Sequence, residues 1–335
     1  MDVLAGDIGG TKTLLMLARV EDGRLIPGEI RRYASADYPG LAPMVRTFLT
    51  DTGHGTPVAA AFALAGPVAR RDDGQQARLT NLPWQLDSRQ LARDLGLPRV
   101  TLVNDFEGIA HSLDDLPADS LHALQQGERD PDGVRLVVGA GTGLGVCIVC
   151  PGRPPRLIPT EAGHGELAPA DARQSRLWAA VTRREGRCSR EHLLSGRGIA
   201  RIADFLISES PQRPGKALAE AMAQPDPAPE LTRLALAGGD PLAVETLSLF
   251  CSLYGGQAGD LALGCLPFGG VYVAGGIAPR ILPLLDAGGF VEAFRRKPPM
   301  THLLERMPVQ VITDPRSGLL GAARLAASQI PRDRG

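Results

Sequence analysis

Asp7-Ile8-Gly9-Gly10-Thr11-Lys12 sets a carboxylate, a double glycine, a hydroxyl and an ammonium into one short stretch. A turn stripped of side chains lets backbone N–H groups reach an anion directly, and Thr11 and Lys12 add a hydroxyl and a positive charge. That chemistry suits a phosphate. The theme returns further along in Gly139-Ala140-Gly141-Thr142-Gly143-Leu144-Gly145. Neither stretch is one of the two most familiar phosphate loops. A P-loop needs glycine directly before its lysine and a helix directly after, whereas Thr11 holds that place and Leu14-Leu15-Met16-Leu17-Ala18 suits a strand. The Rossmann fingerprint needs its third glycine where Leu144 stands. Both stretches read instead as strand, glycine turn, strand, with glycine supplying the positive φ of a sharp turn. An ordinary glycine hairpin has the same pattern, so either turn alone leaves both readings open.

Strands must hold those turns. Apolar runs predict strands at 2–8, 12–20, 58–64 and 99–103, with helices near 41–51 and 88–95. Ala65-Gly66-Pro67-Val68 closes the third run with a turn, and Thr80-Asn81-Leu82-Pro83-Trp84 is a polar loop. A helix follows Asn104-Asp105 and runs through His111; on residue type alone that pair is a helix cap. A second unit begins near 116, with strands up to the glycine hairpin at 136–149 and helices from about 171 to 264. Residues 208–230, rich in proline and polar groups, read as a loop or surface insertion. Gly255, Gly256 and Gly259 interrupt an apolar helical run at about 1 kcal/mol each against alanine, which marks a close approach by another helix or a ligand. Gly270-Val271-Tyr272-Val273-Ala274-Gly275-Gly276-Ile277 is a buried strand breaking at two glycines, and Ser317-Gly318-Leu319 opens an alanine-rich terminal helix. Repetition of glycine pairs and runs at 9–10, 139–145 and 275–276 points to two related halves facing a shared cleft.

The chain of 335 residues has room for two domains with a sizeable core each. Its 44% hydrophobic and 22% charged residues are the proportions of a soluble globular protein. A net charge of -1, with the 36 basic residues spread along the chain, gives nucleic-acid binding no electrostatic support. No apolar run approaches a membrane span, and a first strand entered by Val3 leaves no room for a signal peptide. Five cysteines, at 147, 150, 188, 251 and 265, make neither an even disulfide set nor a metal cluster. Cys147 and Cys150 have the CxxC spacing, but inside one strand they point to opposite faces. Core packing in a reducing compartment accounts for them, and a cytoplasmic protein is expected.

Taken in order, these segments resemble the bacterial glucokinases, members of the actin-like sugar-kinase ATPases. Gly6-Asp7-Ile8-Gly9-Gly10-Thr11-Lys12 is similar to that family's first phosphate motif, Gly139–Gly145 to its second, and Val273-Ala274-Gly275-Gly276-Ile277 to its adenosine motif. Leu102-Val103-Asn104-Asp105-Phe106, Glu161-Ala162-Gly163-His164 and Glu191-His192-Leu193-Leu194-Ser195-Gly196 resemble its sugar-site segments. The likeness runs from the first strand to the last helix. It implies an α/β, ribonuclease H-like fold of two domains with an inter-domain active-site cleft: 1–115 plus 315–335, and 116–314.

The resemblance also implies a function, ATP-dependent phosphorylation of glucose at its 6-hydroxyl to give glucose 6-phosphate, with Mg²⁺ on the phosphates. Asp105 then becomes the general base and Asn104 the cap. Asn81, Asn104, Asp105, Glu161, His164 and Glu191 hydrogen-bond the sugar, whose hydroxyls both donate and accept. Asp7, Gly9, Gly10, Thr11, Lys12, Gly141, Thr142, Gly143, Gly275 and Gly276 form the nucleotide site, with Asp7 meeting Mg²⁺ through water and Lys12 acting as a point charge. Relatives with a zinc-binding histidine in a Glu-x-Gly-His segment complete the site with clustered cysteines; Cys188, Cys251 and Cys265 lie far apart, so no bound metal site is expected. Glu166 is a partner behind His164 or an exposed residue, while His54, His111, His122 and His302 are solvated or structural. Arg70-Arg71-Asp72-Asp73 reads as a solvated turn and Arg295-Arg296-Lys297 as surface. A homodimer is expected, with glucose and ATP as small-molecule substrates and neither nucleic acid nor membrane as partner. The rival readings are a kinase for another hexose or an N-acetylated amino sugar, a sugar-responsive regulator of the same fold, and an ATPase acting without sugar. The regulator needs a helix-turn-helix ahead of the first strand, where only Met1 and Asp2 stand.

Overall fold

The computed structural model describes residues 1–53, 56–79, 82–211 and 213–330. The chain divides into two compact units: Met1–Ala118 together with the segment from Asp314 onward, and Asp119–Thr313.

The first unit is built on strands β1 (Asp2–Ile8), β2 (Lys12–Glu21), β3 (Arg24–Ala34), β4 (Ala59–Leu64), β5 (Val68–Arg71), β6 (Gly74–Arg78), β7 (Gln85–Asp87) and β8 (Val100–Asn104). Its main sheet has the order β3-β2-β1-β4-β8, and β5-β6-β7 form a small separate sheet. β1, β4 and β8 are parallel neighbours, with Asp7 opposite Ala63 and Leu64 opposite Asn104. The carboxyl ends of these strands therefore lie on one edge. β4 is buried at every position, as a strand covered on both faces must be.

Alternation along the strands divides the core. Leu4, Ile8, Leu15, Phe62 and Leu64 join Met44, Val45 and Phe48 of the Leu41–Thr52 helix on one face. Val3, Ala5, Met16, Ala61 and Ala63 meet Leu319, Ala322, Ala323 and Ala326 of the terminal helix Ser317–Ala327 on the other. Small residues there let backbones come close. A side chain on Gly321 would collide with the carbonyl of Gly108 in the Asp105–Ser112 helix, and one on Gly108 would lie 2.7 Å from the Ala63 Cβ.

The second unit has a six-stranded sheet, β12-β11-β10-β13-β14-β9. Its members are β9 (Leu121–Gln125), β10 (Arg135–Ala140), β11 (Leu144–Cys150), β12 (Arg156–Thr160), β13 (Gly270–Ala274) and β14 (Val309–Ile312). The 25-residue helix Pro241–Cys265 lies in the core and runs unbroken through its glycines. Phe290 and Phe294 of the helix Gly289–Arg295 bring their carbonyls onto Gly255 and Gly259, where any side chain would collide. The close approach is thus made by a helix.

Several expectations are corrected. Residues 208–230 are not a loop: Lys216–Met222 is a helix, with Leu218 and Ala221 buried, and another helix begins at Ala228. Prolines at 211, 214, 225 and 227 lie between or at the starts of those helices, where they do no harm. β3 is a strand that no apolar run marks, because its residues are mostly exposed. Residues 70–73 are the exposed turn expected, and within it the Arg70 guanidinium, 70% exposed, also pairs at 2.8 Å with Glu107, which is only 7% exposed. Lys297 is likewise tied down, 2.7 Å from Asp260. Among the described residues no single helix is long and apolar enough to cross a membrane.

Candidate active site

In the first unit, β1 delivers Asp7 to the carboxyl edge of the sheet, and the chain turns through Gly9, Gly10 and Thr11 into Lys12, the exposed first residue of β2. The Gly9 N–H donates to the Lys12 carbonyl at 2.9 Å. Neither Gly9 nor Gly10 lies in the left-handed region, nor do Gly141 and Gly143, so the positive φ expected at these turns is not what selects glycine. Strand alternation turns Asp7 toward the terminal helix, and a Cβ on Gly318, in that helix's first turn, would stand 3.5 Å from its carboxyl carbon. Burial lifts the Asp7 carboxyl to about 6, with the Lys12 charge working in the opposite direction.

Asn104 and Asp105 stand where β8 becomes a helix. The cap falls to Asn104: its side-chain oxygen accepts the Phe106 N–H at 2.9 Å, and its amide donates to the Gly66 carbonyl at 3.1 Å. Asp105 also accepts from Phe106 N–H, at 3.0 Å. Its carboxyl is raised to about 7, chiefly by burial and next by the charge of Asp7, against the lowering effect of the N–H groups around it. Two carboxylates that feel each other at one strand edge form the acidic centre of this unit. His111, on the same helix, is held down to about 4 by burial and by Arg70.

In the second unit, β10 and β11 form the expected hairpin, closed by a Gly141 N–H to Gly143 carbonyl bond of 2.8 Å. Thr142 is exposed at its tip. Glu191 braces it: Oε2 accepts the Leu144 N–H at 3.0 Å, and a Cβ on Gly143 would stand 2.5 Å from that oxygen. The Gly196 N–H, at the start of the next helix, donates to the Gly141 carbonyl at 2.9 Å. Gly163 packs onto the Leu144 carbonyl so tightly that no side chain fits. Leu144 therefore brings Glu191 and the Glu161–His164 segment to one place. The Glu161 and His164 side chains are 80% and 60% exposed there, with His164 Nε2 3.8 Å from Glu161 Oε2, free to meet a ligand. Gly275 has φ 83° and backs onto the Ala140 carbonyl, which also accepts from Ile277 N–H at 3.3 Å. The end of β10 thus carries both the second glycine turn and the Gly275–Gly276 segment. Gly276 is exposed, with open space where a side chain would go.

Other residues of these sites gave no local signal in the sequence. Arg190 donates to the Ala162 carbonyl at 2.9 Å and to Gln257 at 3.1 Å, and Arg187 donates to the His164 carbonyl at 2.8 Å and to Glu166 at 2.9 Å. Glu166 thus belongs to the bracing behind His164. The hydroxyl of buried Tyr254 donates to the Val138 carbonyl and accepts from Ala140 N–H, each at 3.1 Å. Asn81 and His54 lie outside the described residues.

The glucokinase family model matches residues 4–329. A protein named glucokinase from Nostoc punctiforme is 39% identical over 344 residues, covering 97% of this chain and 98% of its own. Among solved structures, a glucokinase from an Antarctic psychrotroph is 27% identical with a TM-score of 0.86, covering 98% of this chain and 99% of its own. A ROK-family glucokinase from Streptomyces griseus, solved with glucose and AMPPNP, shares the fold at 22% identity and a TM-score of 0.63, covering 98% of this chain and 100% of its own. The α/β architecture is that of the actin-like sugar-kinase ATPases. With its motifs on the strand edges and turns described above, and a match from the first strand to the terminal helix, the chain belongs to the glucokinase family.

Proposed function

We propose that the chain transfers the γ-phosphoryl group of ATP to the 6-hydroxyl of glucose, with Asp105 as general base. The state of Asp105 carries this reading. Asn104 takes the cap, which frees Asp105 for chemistry, and burial with Asp7 lifts its carboxyl to about 7. A carboxylate in that range, at the carboxyl end of a parallel strand, is matched to accepting a hydroxyl proton near neutral pH. The glucose and AMPPNP held by the Streptomyces griseus relative support the choice of substrates.

Glucose O6 attacks the γ-phosphorus while its proton passes to Asp105, the bond to the bridging oxygen breaks, and ADP leaves. Positioning and charge stabilisation are the protein's main tasks in such a transfer. In this reading the Gly9–Thr11 and Gly141–Gly143 turns present N–H groups to the polyphosphate, Lys12 adds a point charge, and Gly275 and Gly276 border the adenosine. Asn104, Glu161, His164 and Glu191 hold the sugar, with Asn81 in the same set. The acidic centre fits magnesium: burial holds Asp7 and Asp105 above the ordinary carboxylate range, a balance that a cation relieves. When bound, magnesium would neutralise phosphate charge, with Asp7 its partner through water. The two units serve as the small and large domains of the kinase. A homodimer in a reducing cytoplasm completes the reading, supported by the family match and by five free cysteines.

Asp105→Asn tests the mechanism, since asparagine keeps the shape but accepts no proton. Turnover is expected to fall by roughly 10²–10⁴-fold with little change in sugar or ATP affinity. A variant that keeps most of its turnover would remove Asp105 from the chemistry.

A further inference from the structure

We infer that Ser35 and Thr13 position the first phosphate turn, through a hydroxyl relay that aims a backbone N–H of the turn at its anion. The inference rests on the nucleotide reading of that turn. Ser35 follows β3 and is fully buried, as is Thr13 on β2. The Ser35 hydroxyl donates to the Gly9 carbonyl at 2.9 Å, and its oxygen lies 3.0 Å from Thr13 Oγ1. A hydroxyl has one proton to give, so Thr13 donates to Ser35 and Ser35 to Gly9. The Ser35 N–H donates to the Thr11 carbonyl at 3.1 Å, and its own carbonyl accepts from Tyr38 N–H at 3.4 Å. Every polar group of this buried serine is therefore used, mostly on the Gly9–Thr13 segment.

Peptide geometry gives these bonds a direction. A trans peptide is planar, with its C=O and N–H on opposite sides. The only cis bonds among the described residues are Arg153-Pro154 and Pro298-Pro299, so the Gly9–Gly10 peptide is trans. Anchoring the Gly9 oxygen on Ser35 sends the Gly10 N–H the opposite way, away from the buried serine. The bond from Ser35 N–H to Thr11 fixes the far side of the turn. Glycines without side chains are otherwise free to rotate these peptides, and an anion site built of N–H groups works only if they are held. Ser35 supplies that hold from 26 residues away.

The test is nucleotide affinity, measured by calorimetry with ADP, alongside glucose affinity and thermal melting. Ser35→Ala is expected to weaken ADP binding by about 10-fold and to leave glucose affinity within about 2-fold. Thr13→Val, which keeps the shape and removes the donor, is expected to weaken ADP less, and Thr13→Ser to restore it. The double variant Ser35→Ala/Thr13→Val is expected to be no worse than Ser35→Ala, because one relay is lost once. Unchanged ADP affinity in folded Ser35→Ala, or in Thr13→Val if Ser35→Ala does not fold, would overturn the inference. So would parallel losses of ADP and glucose affinity that track the melting temperature, the mark of general loosening. A wild-type chain that binds ADP but phosphorylates no sugar would instead sink the kinase reading and leave this test standing.

Discussion

Burial raises the Asp105 carboxyl from 3.8 to about 7 and that of Asp7 from 3.8 to about 6, so the folded chain holds these protons more tightly than the unfolded one. The sign follows from linkage: their contribution to stability is complete below about pH 4 and is lost as the pH rises through about 6 to 7. Asp105→Asn, which carries no charge to bury, should melt above the wild type at pH 8, with the advantage shrinking to nothing near pH 4. Melting curves across that range check this, and an advantage independent of pH would contradict a buried carboxyl. Glu161→Ala and His164→Ala should weaken glucose binding by about 1–3 kcal/mol, since each removes a hydroxyl's partner, and spare ATP. Glu191→Ala should weaken both, because Glu191 also holds the Leu144 N–H of the second phosphate turn; separate titrations of each ligand show the difference. Asp105 and Glu191 were legible in the sequence because they sit inside motifs whose order is diagnostic. Ser35, Arg187 and Arg190 were not. Their partners lie across turns and strands, and no local pattern marks such contacts.

Among the elements, the strands and helices that flank the glycine turns were readable because buried strands and amphipathic helices carry strong periodicity. The exposed edge strand β3, the short strands of the small sheet and the helix at 216–222 carry little, and they appeared only in the structure. The glycines of the long core helix allow a test of opposite signs at adjacent positions. Gly255→Ala should destabilise by about 1–3 kcal/mol, since its methyl meets the Phe290 carbonyl. Gly256→Ala, with open space around it, should stabilise by up to about 1 kcal/mol. Denaturant titrations read both. The Arg70–Glu107 pair ties the small sheet to the Asp105 helix. Arg70→Ala should cost more stability at pH 8 than at pH 5, where the buried Glu107 can take up a proton instead of standing alone with its charge.

At the scale of the molecule, the two units carry different halves of one proposed chemistry. The acidic centre and the first phosphate turn belong to the first. The second phosphate turn, the adenosine motif and the Glu161–His164 segment belong to the other. In the proposed reading the base lies in the first unit and Glu161, His164 and Glu191 in the second, and turnover requires a sugar hydroxyl to accept the phosphoryl group. That requirement separates a sugar kinase from an ATPase of the same fold, in which nucleotide turnover proceeds without a hydroxyl acceptor. Sugar that completes the site also excludes water, which otherwise competes for the phosphoryl group. ADP release by the purified chain, followed with ATP and magnesium in the presence and absence of glucose, is the most direct measurement. The account expects slow hydrolysis alone and rapid turnover with glucose, with one glucose 6-phosphate formed per ADP; equal ADP release with and without the sugar would contradict it.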